Sequence, residues 1–450
     1  MAVLVEDVAE DSIDLGRREP SFESLLESIR IPPEYARYQE IGDPLILDSL
    51  MTWKAQTLDR LHSLREALHN EKLTDTKLAQ AIFLVTPFLS ENKWSSDAAS
   101  TIVREILEYF DVRISLLEVI LTSKIKPAFQ ATNHPMLNSQ TGRALNRPVG
   151  GSMAAHDMYE GQVWKSYLGI EEVLIWCLER IPTDAYDRLW YLVVPPTMTL
   201  LDDYEMRYKV AGTRAVDAVL RTAPPDLLLR TGVADLFFTS LKRALTLLHS
   251  PDTPALLRAA ALVAVELVSR TSPVGSEERF NRLCELLGDG IIGSVWVYAY
   301  RDPNTIEASV DVLPPLFEAL GIGVSRYLKA IIPQLTHPLR PSFDRPPHTS
   351  LQLASLSALQ IVVRVCAPRM YRWKGAVLES IATRWVMLAD SGCDDRQANQ
   401  LRGAMRSVCI ELLRAVPGDY DRLLDLNETM FITLFDISST SYVPTEAKGG

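Results

Sequence analysis

The chain has 450 residues, 47% of them hydrophobic and 23% charged, with a formal net charge of −11 and a sequence pI near 5.3. That acidity argues against a dedicated nucleic-acid or anionic-membrane binder, whose surface would carry an excess of Lys and Arg. The length admits two or three compact domains or one elongated repeat protein with an aliphatic interior.

The first twenty residues, MAVLVEDVAEDSIDLGRREP, are acidic early and lack a basic-then-apolar order. They read as a disordered segment and not as a secretory signal. Helical periodicity dominates from there on. In an N-terminal helical region, residues 21–130, apolar side chains recur at three-and-four spacing over Ser21–Ile29, Ile46–His69, Thr76–Phe88, Asp97–Val112 and Leu116–Ile125. Residues 131–160 lose this periodicity; NHPMLNSQTGRALNRPVGGSMAA is dense in chain breakers and predicts an irregular loop or linker.

The period returns over residues 161–437, with helices expected at Gly169–Arg180, Arg207–Leu220, Leu236–Leu248, Ala255–Val268, Glu277–Leu287, Ile306–Ala319, Ser350–Val365, Lys374–Leu388 and Asn399–Ala415. A proline-rich loop is expected at Thr336–Thr349 and a flexible tail over residues 438–450. The longest apolar runs, such as Ala259–Val268, are too short and interrupted to span a bilayer. The five cysteines, Cys177, Cys284, Cys366, Cys393 and Cys409, are odd in number and form no CxxC pair. Buried free thiols in a reducing compartment are expected, with no membrane, nucleic acid, metal or cofactor, and a cytoplasmic and nuclear location.

One pattern recurs. VVPPTMTLL (Val193–Leu201), VLPPLFEAL (Val312–Leu320) and IIPQLTHPL (Ile331–Leu339) each set a leucine six positions after a proline. A proline early in a helix is tolerated because its missing N–H has no intrahelical partner there. The first two copies are 119 residues apart, room for about three helical pairs of HEAT or armadillo size, and the third follows by 19. Stacked helical pairs bury two faces each, which suits helices as broadly apolar as LQLASLSALQIVVRVC (Leu351–Cys366). The expected fold is all-α, an α-solenoid of degenerate HEAT/armadillo-like repeats, with a compact all-α enzyme as the competitor.

The stretch LLDDYEMRYKVAG (Leu200–Gly212) is the main chemical candidate. A helical magnesium-diphosphate site needs carboxylates at i, i+1 and i+4, so that the first and last share a face. Here Met206 stands where the third acid is needed, and CDDRQANQ has Ala398 at the equivalent place. The residues fit a helix start better. Asp202 as N-cap and Glu205 three residues on have capping-box spacing, followed by acid-before-base pairs Asp203–Arg207, Glu205–Lys209 and Asp217–Arg221. Tyr204, Tyr208, Ala211, Ala215 and Val219 supply a face to pack. GDGIIG (Gly288–Gly293) is literally GxGxxG, but it follows a helix and not a strand, so a helix C-cap and turn is the better reading. The histidines are scattered; His62 and His69 lie a heptad apart with no third ligand nearby, and no nucleophile elbow, HExxH pair or phosphate loop occurs. Trp94, Trp176, Trp190, Trp296, Trp373 and Trp385 read as core. Trp164, in YEGQVWKSYLG, follows the breaker-rich segment and is expected either to anchor it or to face a partner.

Five segments occur in order: DMYEGQVWK, LVVPPTMTLLDDYEMRYKVAG, LLLRTGVADLFFTSLKRALTLL, LPPLFEALGIGVSRYLKAIIPQL and LQLASLSALQIVVRVCAPRMYRWKGAVLESI. Together they resemble the second Tel-two-interacting protein family, the smallest subunit of the triple-T (TTT) complex, in its fungal form. The resemblance spans Asp157 to Leu413; the N-terminal third shows only helical pattern. It implies a non-enzymatic HEAT-like scaffold. Its partners would be the first Tel-two-interacting protein, through that subunit's C-terminal helical repeats, and the Tel-two protein. Through them it would serve the heat-shock-protein-ninety and R2TP machinery in maturing phosphatidylinositol-3-kinase-related kinases. Asp202, Asp203, Tyr204, Glu205, Arg207, Lys209 and Gly212 match the family's best-known run and, with Trp164, are the candidate structural or partner-contact residues. Two other readings stay open: a helical-repeat transport or trafficking adaptor, and an all-α magnesium-dependent enzyme acting on isoprenoid diphosphates.

Overall fold

The computed structural model describes residues 22–37, 44–68, 73–90, 92–132, 134–149, 162–341, 348–392, 395–418 and 420–435. The acidic N-terminus, residues 150–161 of the breaker-rich segment, Cys393 and the C-terminal tail lie outside them. The chain divides into two units, one of residues 1–120 with Trp164–Val173, the other of residues 121–163 with 174–450.

In the first unit, helices Phe22–Ser28, Pro44–Leu68, Asp75–Val85, Asp97–Glu108 and Ile114–Ile120 follow the apolar spacing. Their stripes meet in a core that includes Leu61, Leu64, Ile82, Val85, Val103, Ile106, Leu116 and Leu117. Two starts are fixed by hydroxyl caps: Thr74 accepts from the Lys77 amide and Ser96 from the Ala99 amide. The Trp164–Val173 segment belongs to this unit. Gly169, at φ +78°, lies so close to Pro87 that a Cβ would stand 2.4 Å from the proline ring. Tyr167 meets Phe83 edge-on, with centroids 6.0 Å apart, and Trp164 is fully buried.

The second unit contains a row of helices, Met206–Thr222, Thr253–Thr271, Pro303–Asp311, Thr349–Val365 and Arg396–Ala415, each packed on the next. Each starts between 46 and 50 residues after the last. Cross-links keep a similar interval. Lys242 bonds Glu285 across 43 residues, Arg282 bonds Asp235 across 47, Arg364 bonds Glu318 across 46, and the Trp385 indole bonds the Met430 carbonyl across 45.

The proline motif does not mark this period. Pro195 and Pro196 sit inside the helix Tyr186–Leu201, and Pro333 sits inside Leu328–Thr336; only the Val312 copy opens a helix, Leu313–Leu320. The expected single helix over 306–319 is therefore two, parted at Val312. GDGIIG is not a terminal turn either. It lies within a π-helical stretch, Glu285–Val295. A side chain at Gly288 would press on Tyr327, and one at Gly290 on Leu245.

Part of the breaker-rich segment is ordered by its own polar side chains. Asn138 accepts from the Gln140 and Thr141 amides, and Gly142 turns at φ +66°. The turn joins the only strand pairing among the described residues, Leu137–Asn138 against Arg143–Ala144. Pro303–Leu339 is long and apolar enough by composition to cross a membrane, but it is no single helix. It breaks at Val312 and at Gly321, with φ +54°, and Leu316, Phe317, Ile331 and Ile332 face the protein interior.

Candidate functional site

The acid-rich stretch forms a corner between two helices of the second unit. Tyr186–Leu201 is apolar nearly throughout and runs on through Pro195 and Pro196, while the hydroxyls of Thr197 and Thr199 donate to the Val193 and Pro195 carbonyls. The helix therefore runs to Leu201, and Asp202 ends it instead of capping the next one. The following helix begins at Met206; Glu205 is its N-cap and makes no side-chain cap bond. The expected capping box is thus corrected. Asp203 instead closes the turn before the helix, its Oδ1 accepting from the Glu205 amide at 2.8 Å.

The cross-pairs change with it. Arg207 takes Glu205 at 2.9 Å and lies 4.4 Å from the centroid of the Tyr208 ring. Lys209 reaches back to donate to the Leu201 carbonyl at 3.1 Å. Asp217–Arg221 forms as expected, at 2.5 Å. Tyr208, Ala211, Ala215 and Val219 are buried, whereas Tyr204 precedes the helix and is 63% exposed.

The corner is closed by His134, from the segment read as a loop, and by Gln162, just beyond it. The His134 imidazole lies 3.0 Å from Asp202 Oδ2 through Nε2, and its Nδ1 accepts from the Met136 amide. An accepting Nδ1 leaves the proton on Nε2, so the ring donates to Asp202. Gln162 Nε2 donates to Asp203 Oδ2 at 2.8 Å. Neither residue carries a sequence signal, since they lie 68 and 41 residues from the acids they meet.

Electrostatics explain the lysine. A carboxylate at a helix C-terminus meets the negative end of the dipole, and Asp203 is fully buried while Lys209 is 7% exposed. Burial raises the Asp202 carboxyl, but the His134 hydrogen bond, with the Lys209 ammonium, outweighs it and holds it below the ordinary 3.8. Burial likewise lowers the Lys209 ammonium below 10.5 against the restoring pull of Asp202 and Asp203. Gly212 provides the room. A Cβ there would stand 2.3 Å from the Leu201 nitrogen, so the two helix backbones touch at this point.

The structure therefore brings Asp202, Asp203, Glu205, Arg207, Lys209 and Gly212 together, leaves Tyr204 outward at the tip, and places Trp164 in the other unit. Both carboxylates are taken up by hydrogen bonds within the protein, which makes the corner a joint. Among the described residues, no group of three or more His, Cys, Asp or Glu side chains is arranged to hold a metal ion. Cys177, Cys284, Cys366 and Cys409 are free and buried, and burial pushes the thiols of Cys177 and Cys409 up to about 12, far from nucleophilic use.

The sequence model of the Tti2 family matches residues 81–344, more than half of the chain and all of the corner. No solved structure matches it.

Proposed function

The chain belongs to the Tti2 family, the family of TTT-complex subunits, and from that premise we propose that it is a non-enzymatic scaffold of the TTT co-chaperone assembly. The observation that carries the reading is the family match, because it covers the rigid corner and most of the helical row. The row's interval of 46–50 residues supports an α-solenoid of HEAT-like repeats, whose units run to about 40–47 residues. Such a row offers a long ridge to a partner solenoid. The partners proposed are the first Tel-two-interacting protein and the Tel-two protein. The outcome would be maturation of phosphatidylinositol-3-kinase-related kinases, in cytoplasm and nucleus, with the chaperone machinery.

Affinity purification of the intact chain tests this. Recovery of both Tel-two components, with falling levels of the client kinases when the chain is depleted, is the expected result. Recovery of transport receptors without those components would replace the reading with a trafficking adaptor. Turnover of an isoprenoid diphosphate, abolished by Asp202→Ala with Asp203→Ala, would replace it with an enzyme.

A further inference from the structure

The turns that follow the first four row helices lie at 223–232, 272–276, 321–327 and 366–373; the third row helix, Pro303–Asp311, reaches its turn through its continuation Leu313–Leu320. Three contacts set these turns side by side along one edge of the larger unit. Arg282 bonds Asp235, which joins the helices that leave the second and first turns, Glu277–Cys284 and Val233–Ala244, near their starts. A Cβ at Gly323, in the third turn, would stand 2.7 Å from the Phe280 ring, near the start of the helix that leaves the second. Arg364 bonds Glu318 where the fourth and third row helices end.

Each turn holds one large apolar side chain out to solvent: Leu229 at 47% exposure, Val274 at 89%, Ile322 at 53% and Tyr371 at 61%. They recur at intervals of 45, 48 and 49 residues, the period of the row itself. Singly such residues are ordinary on a protein surface, but four on neighbouring turns make a continuous line. The opposite edge has no such line. There Tyr204 is followed by a turn, 245–252, without an exposed large apolar side chain, and then by Val297, Tyr298 and Tyr300 together.

The same edge carries spare positive charge. Asp226 is taken by Arg230, Glu278 by Arg282 and Glu318 by Arg364. Among the described residues Arg326, Arg369 and Arg372 form no ion pair, and against these three stands one acid in the same condition, Glu277. Arg372 donates to the Tyr371 hydroxyl, so a guanidinium accompanies the exposed ring. In a chain of net charge −11 this is a local reversal.

Spacing says what shape fits. Packed helices lie about 8–10 Å apart, so the four side chains span about 25–30 Å. At about 1.5 Å per residue one step is about six residues of a partner helix, close to two turns, which returns its side chains to the same face. An extended strand covers the step in about three residues, and its side chains alternate between faces, so every second one would point away. We propose that this edge docks an acidic amphipathic helix of a partner protein, with an apolar side chain against each of the four turns and carboxylates opposite Arg326, Arg369 and Arg372. The inference rests on the scaffold reading above and adds the surface through which the scaffold is used.

The test co-expresses the full chain with the first Tel-two-interacting protein and the Tel-two protein and measures their recovery. Val274→Asp with Ile322→Asp and Tyr371→Asp is expected to lower recovery at least tenfold, and so is Arg326→Glu with Arg369→Glu and Arg372→Glu. All six side chains are exposed, so the melting temperature should stay at the wild-type value. Tyr298→Asp with Tyr300→Asp, on the opposite edge, is expected to leave recovery unchanged. Photo-crosslinking residues at positions 274 and 371 should trap partner residues about 11–14 apart within one helix. Full recovery by both edge variants overturns the inference while the scaffold reading stands. Equal loss in the Tyr298 and Tyr300 variant, or cross-links to separate segments of the partner, does the same. If the wild-type chain recovers neither component, the scaffold reading fails and the inference falls with it.

Discussion

Two cations in the larger unit are buried to nearly the same degree, Lys209 at 7% exposure and Arg384 at 8%, and their surroundings differ completely. Lys209 donates to the Leu201 carbonyl and balances Asp202 and Asp203, which are themselves held by His134 and Gln162. Arg384 has an unmet Nε–H and no acid partner among the described residues. Burial alone therefore does not say what a charge is for. A matched buried charge fixes geometry within the chain, whereas one without a partner carries a desolvation cost that no contact repays.

The sharpest way to break the comparison is the same substitution at both places. Lys209→Met removes an ammonium that pulls on two buried acids, and is expected to cost about 3–5 kcal/mol in urea unfolding at neutral pH. Arg384→Met removes a charge that no acid among the described residues balances, and is expected to leave the unfolding midpoint unchanged or higher. If both variants lose stability alike, the distinction drawn between the two sites is wrong.

Next in size is Gly212→Ala. The methyl would be driven into the Leu200–Leu201 backbone, which is not a flexible side chain that can move aside. Overpacking of this kind is expected to cost about 1–3 kcal/mol, or more because backbone has to yield. Gly375, beside which a Cβ meets nothing within 4 Å, is the control. It lies at the start of a helix, so alanine there should be neutral or stabilising by a few tenths of a kcal/mol. Equal losses at the two glycines would show that helix contact is not what position 212 requires.

The acid limb of the stability curve separates the corner from Arg384 by charge type. Because the native Asp202 carboxyl is held below 3.8, it stays charged at a pH where the unfolded chain has taken up its proton. Its stabilisation is whole above about pH 4 and is lost as pH falls through the native value. Asp202→Asn is expected to flatten that limb, whereas Arg384→Met is expected to leave it as it was. Lys209 adds a change at the other end. Its native value is lowered, so stability rises as pH climbs from that value towards 10.5.

Periodicity made most of the helices legible, because a stripe of apolar residues is a local property. The all-α class followed directly from it. What escaped was set by contacts distant in sequence. Pro195 and Pro196 read as a helix start but stand within one, in a helix that is buried almost throughout. With that helix missed, Asp202 read as an N-cap, whereas it is the C-cap of the helix before it. The candidate residues of the corner lie together in the fold, but their partners were not legible, as a lone His134 in a breaker-rich segment has no spacing to betray it. Arg384 is harder still. In SIATRWVML it is the one charged residue, of the kind a buried helix turns to water, and only its burial shows otherwise.

The smallest effect completes the series by taking a matched pair out to the surface. Asp217 and Arg221 lie on the same helix as Lys209, four residues apart in the favourable order, with side chains 33% and 67% exposed. Their 2.5 Å contact is among the shortest in the protein, yet distance is a poor guide to worth where water competes for both ions. Asp217→Ser is expected to cost no more than about 0.2–0.5 kcal/mol, and the loss should fade towards zero in molar salt. The Lys209→Met loss should persist in the same salt, because counterions do not reach a buried cluster. If the Asp217 pair instead proved as costly to break as Lys209, geometry and not burial would govern the worth of a charge in this fold. The contrast drawn between Lys209 and Arg384 would then lose its physical basis.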